Sequence, residues 1–196
     1  MPMKRTHSQL VVRRLKGTDA AAYLKLRLYA LRESPTAFGS SYAEERDRPI
    51  AECRKWLEVS EQKEIFMGAF DDGVMVAQAA LKRERTTNRK QRHKAWLWGM
   101  YVHPRYRGLG VGREIVQKLL QAVHRMKGLE IIKLAATSTN AAALGLYRQL
   151  GFQHYATEPK ALLVKGKYYD FEFLMIEVAP QKPRSRLISK PRKAVK

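Results

Sequence analysis

Apolar residues come along this chain in short clusters whose spacing changes several times. Leu10-Val-Val-Arg-Arg-Leu15 reads as a first strand that stops at Gly17. Thr18 suits an N-cap, and the leucines at 24, 26, 28 and 31 predict a helix to about Arg32. Glu33-Ser-Pro-Thr-Ala-Phe-Gly-Ser-Ser41 breaks that helix into a loop. Pro49 suits the first position of a second helix, which carries Ala51-Glu-Cys-Arg-Lys-Trp-Leu57. Two apolar runs, residues 65–70 and 74–81, flank Asp71-Asp72-Gly73, a strong hairpin signal. A basic stretch follows, then a strand-like run from Ala95 to Val102, and an amphipathic helix from Val111 to about Arg125. Ile131-Ile-Lys-Leu-Ala-Ala-Thr137 has the look of a buried parallel strand, and Asn140 opens a helix that ends before Gly151-Phe152. Two more strands are expected, one near His154 and one from Lys167 to Val178. The order is β-α-α-β-β-β-α-β-α-β-β without an internal repeat, an α/β (α+β) fold with a mixed sheet flanked by helices.

Length and composition narrow the class. The 196 residues suit one domain, large enough to bury roughly 70% of its unfolded surface. We expect a flexible segment over 1–9, the domain over 10–180 and a disordered basic tail over 181–196. No apolar run is long enough for a transmembrane helix, and the basic N-terminus lacks the apolar stretch of a secretory signal, so no membrane partner and a cytoplasmic location are expected. Cys53 is the one cysteine, without companions at metal-ligand spacing, so no metal is expected and the thiol reads as an ordinary helix residue.

Charge changes the picture. Thirty-eight Lys and Arg against 18 Asp and Glu give +20, and residues 82–94 and 181–196 each hold seven of the basic side chains. Such runs fit a solvated surface, attraction to nucleic acid or ribosomes, or electrostatic steering of a phosphate-bearing ligand.

The strongest chemical signal is Tyr101-Val-His-Pro-Arg-Tyr-Arg-Gly-Leu-Gly-Val-Gly-Arg113, placed between a strand and a helix. Glycines at 108, 110 and 112 permit positive φ and let backbone N–H groups converge, while the helix behind adds unpaired N–H groups and its positive dipole end. Such a loop suits a pyrophosphate. Arg113 stands where a dinucleotide fingerprint needs its third glycine, and Gly112-Arg113-Glu114 is not the Gly-Lys-Ser/Thr of a triphosphate loop.

What remains, Arg107-x-x-Gly110-x-Gly112 after an apolar strand, resembles the coenzyme A loop of the GNAT superfamily of N-acetyltransferases. Trp98-Gly-Met-Tyr-Val-His-Pro104, Asn140-Ala-Ala-Ala-Leu-Gly-Leu-Tyr147, Gly151-Phe152 and the run from Leu28 to Tyr42 support the resemblance, which covers about Val11 to Val178. It implies a GNAT-like sheet splayed between its fourth and fifth strands, with acetyl-CoA as co-substrate in the gap. It further implies that Gly108, Leu109, Gly110, Val111, Gly112 and Arg113 hold the pyrophosphate, with Arg107 or Arg113 adding charge. Met100 and Val102 would pair with the pantetheine arm, a backbone N–H near Tyr101 or Val102 would polarise the thioester, and Asn140 would touch the cofactor. Gly99 reads as a bulge opening that strand. Tyr147 would protonate the departing thiolate, its ordinary pKa of about 10 leaving it neutral at pH 7.

The expected activity is direct acetyl transfer to a primary amine of a small molecule or protein in a ternary complex. Deprotonating a lysine-type amine at pH 7 costs about 4.6 kcal/mol, and an α-amine about 1 kcal/mol. Glu44 and Glu45 are the candidates to bind or deprotonate it, beside His103 and ordered water. A homodimer would fit the resemblance. The reading from another class is a basic RNA- or ribosome-associated binding protein on an acyltransferase scaffold, engaging its partner through the tail.

Overall fold

The computed structural model describes residues 10–84 and 89–178. Its elements run β1 (Val11–Arg14), α1 (Ala20–Glu33), α2 (Tyr42–Glu45), α3 (Ile50–Leu57), β2 (Glu64–Asp71), β3 (Val74–Arg83), β4 (Lys94–Val102), α4 (Val111–Ala122), β5 (Ile131–Thr137), α5 (Ala141–Gln149), β6 (Gln153–Val164) and β7 (Lys167–Glu177). The expected order is met, with α2 added. The expected flexible N-terminus and the basic tail lie outside the described residues, as do positions 85–88 of the basic stretch.

All seven strands form one sheet in the order β1-β2-β3-β4-β5-β7-β6. The pair β4–β5 is parallel and the other five pairs are antiparallel. The helices cover both faces because the central strands are apolar on both sides. On one face Ile65, Leu81, Ile132 and Leu134 pack with Ile115 and Leu119 of α4. On the other, Phe66, Ala80 and Tyr101 pack with Leu31 of α1 and with Cys53 and Leu57 of α3. Cys53 is a core residue, its thiol pKa raised by burial. The β2–β3 hairpin closes through Asp72 and Gly73, both at positive φ (48° and 78°), the pair that a mirror-image two-residue turn requires.

Two helix starts differ from the sequence pattern. A 3₁₀ turn, Gly17–Asp19, precedes α1, so Asp19 rather than Thr18 occupies its N-cap position. The Asp19 carboxylate accepts from Lys16 N–H (2.8 Å) and takes two bonds from Arg13 (2.8 Å each), anchoring that turn to β1 as a threonine hydroxyl could not. Pro49 stands one residue before α3, in the N-cap place.

The feature that positions a site is the parting of β4 and β5. They pair only at Lys94–Trp96 against Ile131–Lys133. Past that point β4 is deformed: Gly99 sits at φ 64°, and the register against β3 shifts between Gln78 and Ala80. This is the expected bulge, with the glycine in the left-handed region that a side chain would strain.

Candidate active site

A cleft of about 890 Å³ occupies the gap between the separated strands. Its walls come from Met100–Val102, the loop into α4, the start of α5, and the segment Glu33–Ala37 after α1. The loop is shaped by Gly108 (φ 77°) and Gly110 (φ 80°), the latter serving as N-cap of α4. The first backbone bond of the helix is Glu114 N–H to Gly110 O (3.0 Å), which leaves the N–H groups of Val111, Gly112 and Arg113 outside the ladder at its positive end. Gly112 is needed for another reason. A Cβ there would stand 3.0 Å from Met100 Cε and 3.3 Å from Leu146 Cδ2, so any side chain would have to push both neighbours back by a few tenths of an ångström. Three unpaired N–H groups at the positive end of a helix that borders the cleft are a fit for a pyrophosphate.

The flanking arginines are engaged by the protein itself. Arg107 donates Nη1 and Nη2 to the two Glu33 carboxylate oxygens (3.2 and 2.7 Å) and Nε to Val102 O (3.0 Å). Those bonds hold the Glu33 carboxyl below its ordinary pKa. Tyr101 donates its hydroxyl to the same carboxylate (3.0 Å), and burial first, then that bond, raise the phenol's pKa. Arg113 donates to Gln149 Oε1. Leu109 is half-exposed and lies outside the cleft lining, so the loop's other residues, but not its side chain, face the gap.

Asn140 and Tyr147 both line the cleft. Asn140 is the N-cap of α5, its Oδ1 accepting from Ala143 N–H (3.2 Å), and its two amide N–H donors take no part in that cap. Tyr147 is buried, edge-on to Phe152 at 5.8 Å, and burial raises its pKa, so it carries its proton at neutral pH.

Behind β4 lies a second cavity of about 430 Å³, on the α1 and α3 face. Its aromatic walls include Phe38, Phe66, Trp56, Trp96 and Trp98, and it ends at Gly99 where the first cleft begins at Met100; Ala37 lines both. Glu64 of β2 is buried here, accepting from Trp98 Nε1–H (3.0 Å) with Lys82 Nζ at 4.0 Å. The two glutamates expected near the acceptor are separated by the helix α2 that the sequence pattern left as loop. Glu44 turns back to accept from Ser41 N–H (2.6 Å), is exposed, and lines neither cavity. Glu45 turns inward, takes Arg27 Nε (3.1 Å) and Nη2 (2.7 Å), and lines the second cavity. Burial pushes its pKa up, but the Arg27 bonds and charge outweigh that and hold it below the ordinary value. His103 instead accepts from Arg105 N–H and stacks on Tyr29 at 5.0 Å.

Sequence reasoning passed over Glu33, Thr137 and Thr139 in the cleft, and Arg27, Arg48, Glu64 and the tryptophans in the second cavity. Spacing offered no signal for them, since each reaches its place through sheet register or helix facing. Among the described residues no group of three His, Cys, Asp or Glu gathers for a metal, and no helix is long and apolar enough to cross a membrane.

Comparison with known proteins agrees with this architecture. The sequence model of the acetyltransferase (GNAT) family matches residues 27–152. The L-methionine sulfoximine/L-methionine sulfone acetyltransferase of Pseudomonas aeruginosa is 33% identical over 81 residues, 41% of this chain and 46% of that protein. The N-alpha-acetyltransferase RimI of Mycobacterium tuberculosis is 29% identical over 101 residues, 52% of this chain and 60% of that protein. The matches thus span about half the length of these relatives. Among solved structures, yncA of Salmonella typhimurium, determined with its cofactor acetyl-CoA, superposes with a TM-score of 0.77 at 22% identity, covering 91% of this chain and 99% of that one. A GNAT-family acetyltransferase of Streptococcus pneumoniae gives 0.78 at 17% identity over 87% and 100%. With the family model covering well over half of its length and the same fold around it, this chain belongs to the acetyltransferase (GNAT) family.

Proposed function

We propose that the chain is an acetyl-CoA-dependent N-acetyltransferase acting on a primary amine within a ternary complex. The observation that carries this is the meeting of two cavities at the β4 bulge: one is bordered by the N–H cradle of α4, the other is walled by aromatic and charged side chains, and consecutive residues Gly99 and Met100 separate them. Membership of the family and the relatives' acetyltransferase names support the reading.

In this reading Val111, Gly112 and Arg113 hold the pyrophosphate through backbone N–H groups, and the splayed edge of β4 at Met100 and Val102 offers backbone groups to the pantetheine arm. The bound co-substrate supplies an activated acetyl thioester. His103 N–H bonds Val76 O on β3, so Met100 and Val102 turn their backbone groups to the open edge, where Val102 O already receives Arg107. A backbone N–H at the bulge polarises the carbonyl. The acceptor ammonium enters the second cavity and loses one proton to solvent through ordered water. The neutral amine attacks, an N–C bond forms, the C–S bond breaks, and the second proton leaving nitrogen restores the Tyr147 hydroxyl through water. Tyr147 donates its hydroxyl proton to the leaving sulfur, and its raised pKa keeps that proton in place until then. Glu64, a buried carboxylate that the sequence pattern did not single out, replaces Glu44 and Glu45 as the group to receive the ammonium. Glu45 is committed to Arg27, and a carboxylate held below its ordinary pKa is a weak base.

Calorimetric titration of acetyl-CoA into wild type and a Gly110→Asp/Gly112→Asp variant tests this. Micromolar binding lost in the variant is the expected result. A folded wild type that binds no acetyl-CoA would sink the reading and leave the basic polyanion-binding protein.

A further inference from the structure

We propose that the acceptor carries a carboxylate as well as its amine, and that Arg27 and Arg48 in the second cavity receive that carboxylate. This rests on reading that cavity as the acceptor site.

Arg27 is buried on α1, its side chain 5% exposed. Glu45 takes two of its three nitrogens, while Nη1 is buried without a hydrogen-bond partner. Arg48 presents the same feature on the same wall: Nη1 pairs with Glu52, yet Nε is buried and unpartnered. Buried N–H groups are rarely left unmade, and here two belong to arginines whose side chains line a single cavity. Both guanidinium groups are also fixed in place. Arg27 lies over the Phe38 ring at 4.7 Å and Arg48 over the Trp56 ring at 4.4 Å. A guanidinium held over an aromatic face keeps its planar fork, the geometry suited to a carboxylate.

The balance of charge points the same way. Arg27, Arg48 and Lys82 line the cavity against two carboxylates, Glu45 and Glu64. Glu45 neutralises one arginine, and Glu64 stands beside the Trp98 indole next to Gly99, where an ammonium would be welcome. A cavity with an unmade donor on each of two arginines, one carboxylate beside the bulge and aromatic walls suits an amino acid with an apolar or aromatic side chain. It suits a polyamine poorly, since the arginines would repel the second ammonium.

The cavity reports its own occupancy, because Trp56, Trp96 and Trp98 are the three tryptophans of the chain and all line it. Intrinsic fluorescence is therefore the readout, with coenzyme A present, titrating L-phenylalanine and L-methionine against their amides. The amide keeps the amine and replaces the carboxylate with a neutral group. We expect the acids to bind about tenfold or more tightly than the amides, which is what removing one charge-assisted hydrogen bond costs. Arg48→Gln should bring the ratio to within about twofold. So should Arg27→Met/Glu45→Leu, which removes both members of the buried pair and so leaves no orphaned charge. Neither variant touches the cofactor cleft, so acetyl-CoA titration checks that each is folded. Failure of wild type to bind acetyl-CoA would end the enzyme reading itself. Normal acetyl-CoA binding with amides bound as well as acids, or with neither perturbing the fluorescence, would overturn the carboxylate proposal alone.

Discussion

Glu33 has the smallest reach and the widest effect of the cleft residues. Ending α1, it holds Arg107 by two bonds and the Tyr101 hydroxyl by a third, so one carboxylate fastens the glycine loop and β4 to the first helix. Its pKa is depressed, chiefly by Arg107, so the stability it contributes is present above the unfolded value of about 4.3 and is lost as pH falls below it through the folded value. Urea unfolding between neutral pH and pH of about 3 should show wild type losing stability more steeply than Glu33→Gln in that acid window. Tyr147→Phe removes a hydroxyl and little else. Its kcat should fall by about 10² or more while calorimetry finds acetyl-CoA affinity unchanged. Unequal legibility marks these residues. The loop glycines stand between a strand and a helix, a placement a sequence carries, and Tyr147 comes from the family resemblance. Glu44 and Glu45 are neighbours with the same chemistry, and only the turn of α2 sends one to solvent and the other to Arg27, 18 residues earlier. Glu33 meets Arg107 across 74 residues, a distance no local pattern encodes.

At the scale of elements, β4 is the one on which both sites depend. Replacing Gly99 by valine would put a β-branched residue at φ 64°, costing about 1–2 kcal/mol if the bulge persists, in a position with open space around the missing Cβ. Strand repair would instead flatten the bulge. In either case Gly99→Val should lower acetyl-CoA affinity along with stability, as chemical unfolding and calorimetry would show together. The β2–β3 turn gives the contrast. Gly73→Ala meets the same left-handed strain, roughly 1 kcal/mol, at a turn that lines neither cavity, so stability should fall and cofactor binding hold. That hairpin was legible in Asp71-Asp72-Gly73 because a two-residue turn is specified by its own residues. The start of α1 was not, because Asp19 takes its role from an ion pair with Arg13 on a neighbouring strand.

Over the whole molecule, charge is spread unevenly along the sequence. Residues 181–196 hold seven basic side chains and no acid. Deleting them should leave acetyl-CoA affinity unchanged and weaken binding to single-stranded RNA, with the salt slope falling by about 0.7 for each phosphate no longer neutralised. Equal RNA binding by full-length and shortened chains would show that the polyanion affinity resides elsewhere. The short turn through Ala37 has a consequence of another kind. One residue forms a wall of both cavities, so whatever orders that turn for one ligand prepares it for the other. The two ligands should then be cooperative, and free-energy conservation makes the effect symmetric: the factor by which coenzyme A tightens the acceptor must equal the factor by which the acceptor tightens coenzyme A.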